Sequence, residues 1–480
     1  MRSSDEEYYD TEEFREVLED YENMVASGST RYMDPDELAD IADYYHMNGR
    51  YDEADAAIVR ALEISPGAIA PLTYRIHEAL ESGNTALARQ WLDSIVDKDE
   101  PDYVYNTAEI MLTEGQNDEC ERYLRQELTK VPSFEYQDYV VDVARIYSDY
   151  GMDERALEWL AGAKKEDTPE FQELMGRVLM GVGQYEKCKD VFTKLIDADP
   201  FAAKYWNALA SAQYLEGDYS GAIQSSEYAI AIDPENYDGL LVKANSLFQL
   251  CNYEGALDFY RRYQRLMPDD EGGMLQQGIC LINLERLQEA IDIMEKGIKV
   301  APRDSQYLCE LYRELAFAYN ETGQTEKAMN SLDMTDNLNC DHVQVMIVKG
   351  HLLLSAGKKA DAMALFSQAL KESTTPRQTL LRIIVSIYDN HFANMAYTMF
   401  NMYFAMDEDS EDDESLPEGY AYMALCCYDL KKYDEFLGYL KKACEMNPLE
   451  CKRVMGYIFP ENVAPEDYYE YIKGKLGIDN

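Results

Sequence analysis

The sequence predicts an all-α solenoid of stacked helix–turn–helix units, and three columns of residues predict it. Prolines stand at Pro200, Pro234, Pro268 and Pro302, each thirty-four residues after the last. Small residues keep the same step, through Cys188, Ala222, Ala256 and Ala290 in one column and Gly176, Ala210, Ala244 and Gly278 in another. Tyr185, Tyr219 and Tyr253, followed by Leu287, make the third. A period of about 34 with small, aromatic and proline columns means one helix pair per repeat. The length fits: 480 residues would be large for one compact core, whereas each repeat of a solenoid buries its face only against its neighbours.

Within one unit, Lys204 to Pro234, the helices follow from spacing. Trp206, Leu209 and Ala210 share a face of a first helix. Gly217 lets the backbone leave that helix, since it takes positive φ without a Cβ clash. Tyr219 opens a second helix whose inner stripe is Ala222, Ser226 and Ala229, and Pro234 ends it for want of an N–H. Ala210 and Ala222 allow close approach of the two helices, where a larger residue would cost about 1–3 kcal/mol.

In chain order, residues 1–30 carry one amphipathic helix, over 5–26, with Phe14, Val17, Leu18 and Tyr21 on one face and acids on the other. It reads as an end cap. The array spans 33–448. Its second-helix column reads Ala54, Ala88, Cys120, Ala156, Cys188, Ala222, Ala256, Ala290, Ala328, Ala362, Ala396 and Phe436, which gives about twelve helix pairs. Turn glycines recur at Gly49, Gly83, Gly115, Gly151, Gly183, Gly217, Gly323 and Gly357. Four residues are added near Ser305 to Cys309. Six more precede Phe436, where Asp407 to Glu414 forms an acidic block expected to be a solvated loop. His391 replaces the turn glycine of the eleventh unit, and the bulk of Phe436 leads us to expect altered stacking in the last. Residues 449–480 read as short capping helices over 449–458 and 465–476, broken at Pro460 and Pro465.

Trp206, Leu209, Ala222, Ala229 and Pro234 resemble the tetratricopeptide repeat (TPR) pattern of Trp, Leu, Gly, Tyr, Ala, Phe, Ala, Pro. Ala210 stands for the Gly, Gln213 for the Tyr and Ser226 for the Phe. The resemblance recurs along nearly the whole chain. It implies a right-handed superhelix of helix pairs whose first helices line a concave, ligand-binding surface. Residues three before, one after and four after the small first-helix position are then expected in the groove. In the first five units these are mostly polar, among them Asp43, His46, His77, Tyr105 and Glu109. From the sixth onward they are Asn207, Tyr214, Leu241, Asn245, Phe248, Leu275, Ile279 and Ile282, then Phe317, Ile347, Leu354 and Tyr388, with Arg313, His351 and Val385 between. Apolar residues exposed on that scale would form an interaction surface; a tightly wound array would instead pack them together.

The resemblance implies a protein or peptide partner. The expected ligand is an apolar helix or extended segment, held by Asn207 and Asn245 through amide hydrogen bonds and continued by a basic stretch toward the acidic N-terminal half. Some TPR proteins clamp acidic chaperone tails with Lys, Asn, Asn, Lys and Arg. Here Glu173 stands where the first Lys belongs, and Asn207 and Asn245 lack flanking cations, which argues against that role.

Composition narrows the class further. With 44 basic and 91 acidic residues the net charge is −47, which disfavours nucleic acid and would favour a basic partner. No apolar run nears the roughly 18 residues of a membrane helix, and no apolar segment follows the N-terminus, so no membrane contact and a cytoplasmic location are expected. Ten cysteines without a CxxC, several in small-residue columns, read as reduced, buried thiols. No cofactor, metal site or enzyme activity is expected: the five histidines are dispersed, and Gly181-Val182-Gly183 is a helix end rather than a phosphate loop. The leading reading is an interaction scaffold or adaptor. The alternative is an acidic holding chaperone or inhibitor of a basic, nucleic-acid-binding protein, whose capture would weaken with salt.

Overall fold

The computed structural model describes residues 8–9, 11–28, 31–163, 168–405, 418–460 and 462–476. Among these the chain is an all-α solenoid, with twenty-seven α-helices and no strand. The helix Glu12–Ser27 comes first, and twelve helix pairs follow, from Pro35–Met47 with Tyr51–Ile64 to Tyr420–Asp429 with Tyr433–Met446. Pro448–Met455 and Tyr468–Leu476 close the order. The chain forms two compact units, Met1–Val191 and Phe192–Asn480.

In the first unit Phe14, Tyr21 and Met24 of the helix Glu12–Ser27 enter the core of the first repeat, with Leu38, Ile41, Tyr45 and Ile58. That helix starts at a Thr11 cap, later in the chain than its amphipathic pattern suggested. The next repeats bury Leu72, Ile76 and Ile110, then Val143, Tyr147 and Trp159. In the second unit such cores include one running from Ile347 to Tyr468 and others around Leu311 and Tyr260.

The columns read from sequence are the residues on which the pairs close. Ala54, Ala88, Cys120, Ala156, Cys188, Ala222, Ala256, Ala290, Ala328, Ala362 and Ala396 are all 0% exposed, and Phe436 shares its core with Leu440 and Ala443. The turn position has positive φ whether or not it is glycine. Gly217 lies at 91° and donates its N–H to Gln213 and Tyr214 carbonyls, while Cys251, Glu285, His391 and Lys431 adopt 58°, 58°, 66° and 59°. The helix-leaving step is therefore fixed by the stacking, and the residue conforms to it.

The acidic block Asp407 to Glu414 lies outside the described residues. The reading of every cysteine as a free thiol is corrected at two positions, because Cys309 and Cys340 form a disulfide. Cys309 sits in the first turn of Leu308–Glu321, displaced by the added residues before it. The following second helix stops at Asp333 and turns through the 3-10 segment Met334–Asn337. That detour brings Cys340 back to Cys309, and no short spacing motif announces it. Seven of the other eight cysteines are buried as expected, and Cys251 is half-buried.

Candidate functional site

The first helices that build the site are Ala203–Glu216, Tyr237–Gln249, Glu271–Asn283, Leu308–Glu321, His342–Ser355 and Pro376–Asp389, all in the second unit. A cavity of about 490 Å³ is lined by Tyr214, Asn245, Phe248, Gln249, Tyr260, Gln276, Ile279, Glu310 and Glu314. A second, of about 170 Å³, is lined by Arg313, Glu314, Phe317, Ile347, Val348, His351, Arg382, Val385, Ser386 and Asp389. Glu314 lines both, so the two adjoin along one groove.

The structure thus brings together Tyr214, Asn245, Phe248 and Ile279 around one cavity and Phe317 and Ile347 at the other. It places the remaining expected residues elsewhere. Leu275, fully buried, packs with Ile291, Met294 and Leu311, and Leu354 is buried in the next core. Leu241 and Ile282 are half-buried against neighbouring repeats. Tyr388 donates its hydroxyl to Asp429 at 2.8 Å. Asn207 lines neither cavity, and its buried Oδ1 has no hydrogen-bond partner; a Cβ on Gly239 would come within 3.2 Å of it.

A pattern explains the split. The residue after the small position faces the cavities in repeat after repeat: Asn245, Ile279, Phe317, His351 and Val385. The residue three before it is buried toward the adjacent repeat at Leu275 and Leu381, whereas Arg313 and Ile347 at the same offset reach the smaller cavity. The groove also uses the residue two before, which is Gln276, Glu314, Val348 or Arg382. Stripe members two before and one after lie three apart on a helix, and so share a face. The column two before lies outside the expected set, which took the residues three before, one after and four after the small position.

Polar groups in the groove are held in place. Tyr260 donates its hydroxyl to Asn245 Oδ1 at 2.6 Å, which engages the amide's acceptor. Arg313 pairs with Glu310 at 3.0 Å and Glu314 at 3.4 Å. Burial raises the Glu314 carboxyl above the usual range, with Arg313 opposing and Glu310 adding to the rise. Burial likewise pushes Asp389 up to about 6. It lowers His351, whose Nδ1 lies 3.2 Å from Ser386 Oγ.

In the first unit the expected polar positions bond to one another. His77 Nε2 meets Glu109 at 2.8 Å; burial lowers the imidazole's pKa, but the Glu109 bond and charge outweigh it and the net shift is upward. His46 pairs with the Tyr74 hydroxyl at 2.9 Å. Among the described residues no group of three or more His, Cys, Asp or Glu could hold a metal ion, and no helix is long and apolar enough to cross a membrane.

Family models described as tetratricopeptide repeat match residues 213–279, 174–237, and 38–67 with 273–304. The chain belongs to the tetratricopeptide repeat family. Similar curated proteins include the BBSome complex member BBS4 of Bos taurus, 20% identical over 56% of this TPR chain and 50% of that protein. The anaphase-promoting complex subunit 7 of Homo sapiens is 22% identical over 41% of this chain and 34% of its own length. The chain therefore spans half or less of these relatives. Among solved structures, a TPR protein from Parabacteroides merdae covers 52% of this chain and 98% of its own at 18% identity, TM-score 0.42. YrrB, a TPR protein with an unusual peptide-binding site, covers 41% of this chain and 97% of its own at 22% identity, TM-score 0.34.

Proposed function

We propose that this TPR chain is a protein–protein interaction scaffold that holds a peptide or helical segment of its partner in the groove of the second unit. The observation that carries this reading is the pair of adjoining cavities, lined largely by first-helix residues from successive repeats. Phe248, Ile279 and Phe317 offer apolar surface there, and the amides of Asn245, Gln249 and Gln276 can bond a partner's backbone. Two of the similar proteins carry names that place them in multi-protein complexes, the BBSome and the anaphase-promoting complex, in keeping with a scaffold role. The reading involves no catalysis.

The test is affinity capture from the source lysate with the wild-type chain and with Phe248→Glu/Ile279→Glu, after confirming that both melt cooperatively. Partners held by the wild type at high salt and lost by the double variant are expected. An identical set on both would overturn the groove assignment. Partners that leave both forms at moderate salt would favour capture of a basic protein by the acidic surface at large.

A further inference from the structure

The two cavities differ in charge. The smaller mixes Arg313, Arg382 and His351 with Glu314 and Asp389, whereas the charged residues of the larger are both acids, Glu310 and Glu314. One guanidinium, that of Arg313, serves both carboxylates, so one negative charge at this wall is uncompensated by that pairing. The same cavity presents two half-buried aromatic side chains, Tyr214 and Phe248, whose ring faces attract cations. Glu314 is half-buried, and burial raises its carboxyl, so an arriving cation would favour its ionised form.

We infer that the larger cavity takes a lysine or arginine side chain of the partner, with the cationic head at Glu310 and Glu314 and the stem against Tyr214, Phe248 and Ile279. The inference rests on the groove reading above and assigns it a ligand chemistry. The long aliphatic stem suits the ring-lined wall, and the head reaches acids that an apolar segment would leave facing it unpaired. An acidic segment would instead meet like charge on a chain of net charge −47.

The experiment selects binders from a phage-displayed library of random 12-residue peptides on the intact chain and sequences those retained. The best peptide is then titrated against the wild type, Glu314→Gln, Glu310→Gln/Glu314→Gln, and a surface control, Glu235→Gln/Asp269→Asn. A second peptide carries Met in place of its basic residue. Glutamine keeps the shape of glutamate, and thermal melts verify folding. The expected result is a fixed Lys or Arg beside an apolar residue, with at least a tenfold loss on Glu314→Gln or on the Met peptide and no change in the control. A consensus that is apolar or acidic, an unaffected Glu314→Gln, or an equal loss in the control overturns the inference while groove binding stands. A library with no selected binder, or binders indifferent to Phe248→Glu, removes the groove reading together with this one.

Discussion

Lys452 donates its Nζ to the carbonyl of Leu250 at 2.6 Å, joining residues 202 positions apart within the second unit. Leu250 caps the helix Tyr237–Gln249, where carbonyls lack intrahelical partners and the dipole favours a cation. Lys452 lies on Pro448–Met455, beyond the last repeat. The end of the array therefore touches its own seventh repeat, beside Gln249 of the larger cavity. Lys452→Ala should cost about 1 kcal/mol. Its clearer signature is faster amide exchange at residues 249–253 and 448–458 together. If exchange at 249–253 does not change, the bond does not hold the two ends in solution.

The small first-helix column makes a graded prediction. A Cβ at Gly350 would lie 2.4 Å from the Phe366 ring, and that ring is fully packed among Ala362, Ala369 and Ile384. A Cβ at Gly278 would lie 2.4 Å from Met294 Cε and 2.7 Å from its Cγ, but an unbranched thioether can turn aside more readily than a packed ring. Alanine gains about 1 kcal/mol of helix propensity at either site, while overpacking costs about 1–3. Gly350→Ala should therefore lower the Tm, and Gly278→Ala should lower it less. Equal losses at the two sites would contradict the argument.

The repeat register was legible because only small residues such as Ala222 and Ala256 fit where helices touch, and periodicity multiplies that signal. The groove was legible by half. Asn245, Ile279 and Phe317 were placed from their offset alone, but an offset of one residue turns a side chain by about 100°. That rotation separates Leu275, which is core, from Gln276, which is lining. Glu310 and Tyr260 lay outside any single first-helix stripe, because the cavity closes across repeats. The Cys309–Cys340 pairing was illegible for a related reason: it depends on where a shortened helix returns the chain.

Glu285 occupies the turn position of the eighth repeat at φ 58°, where a side chain costs roughly 1–2 kcal/mol and glycine does not. It is exposed. Glu285→Gly removes that strain but gives the unfolded chain more freedom, so a net gain of about 0.5–1 kcal/mol is expected. Gly323→Ala, at φ 76°, should lose about 1 kcal/mol. Thermal melts of the two variants should move in opposite directions. A shift of the same sign in both would show that the turn geometry is not what sets the preference.

Asp389 closes the helix Pro376–Asp389 at the mouth of the smaller cavity, and it predicts a pH dependence of defined sign. Burial between the groove walls pushes its carboxyl up to about 6, Glu321 adds to the rise and His391 opposes it. In the unfolded chain the group titrates near 3.9. The folded state therefore binds more protons between those values, so this residue's contribution to stability falls as pH rises through that window. At neutral pH the ionised carboxylate is the unfavourable form. Asp389→Asn should thus melt above the wild type at about pH 7, and the gap should narrow toward pH 5, where most of the native carboxyl is already protonated. Asp389 is an exposed residue at the cavity mouth, and solvent screening keeps the gap small, so the change of the difference with pH carries the test. A gap that stays constant across the range, or that widens toward acid, would mean that the groove walls do not disfavour charge at this position.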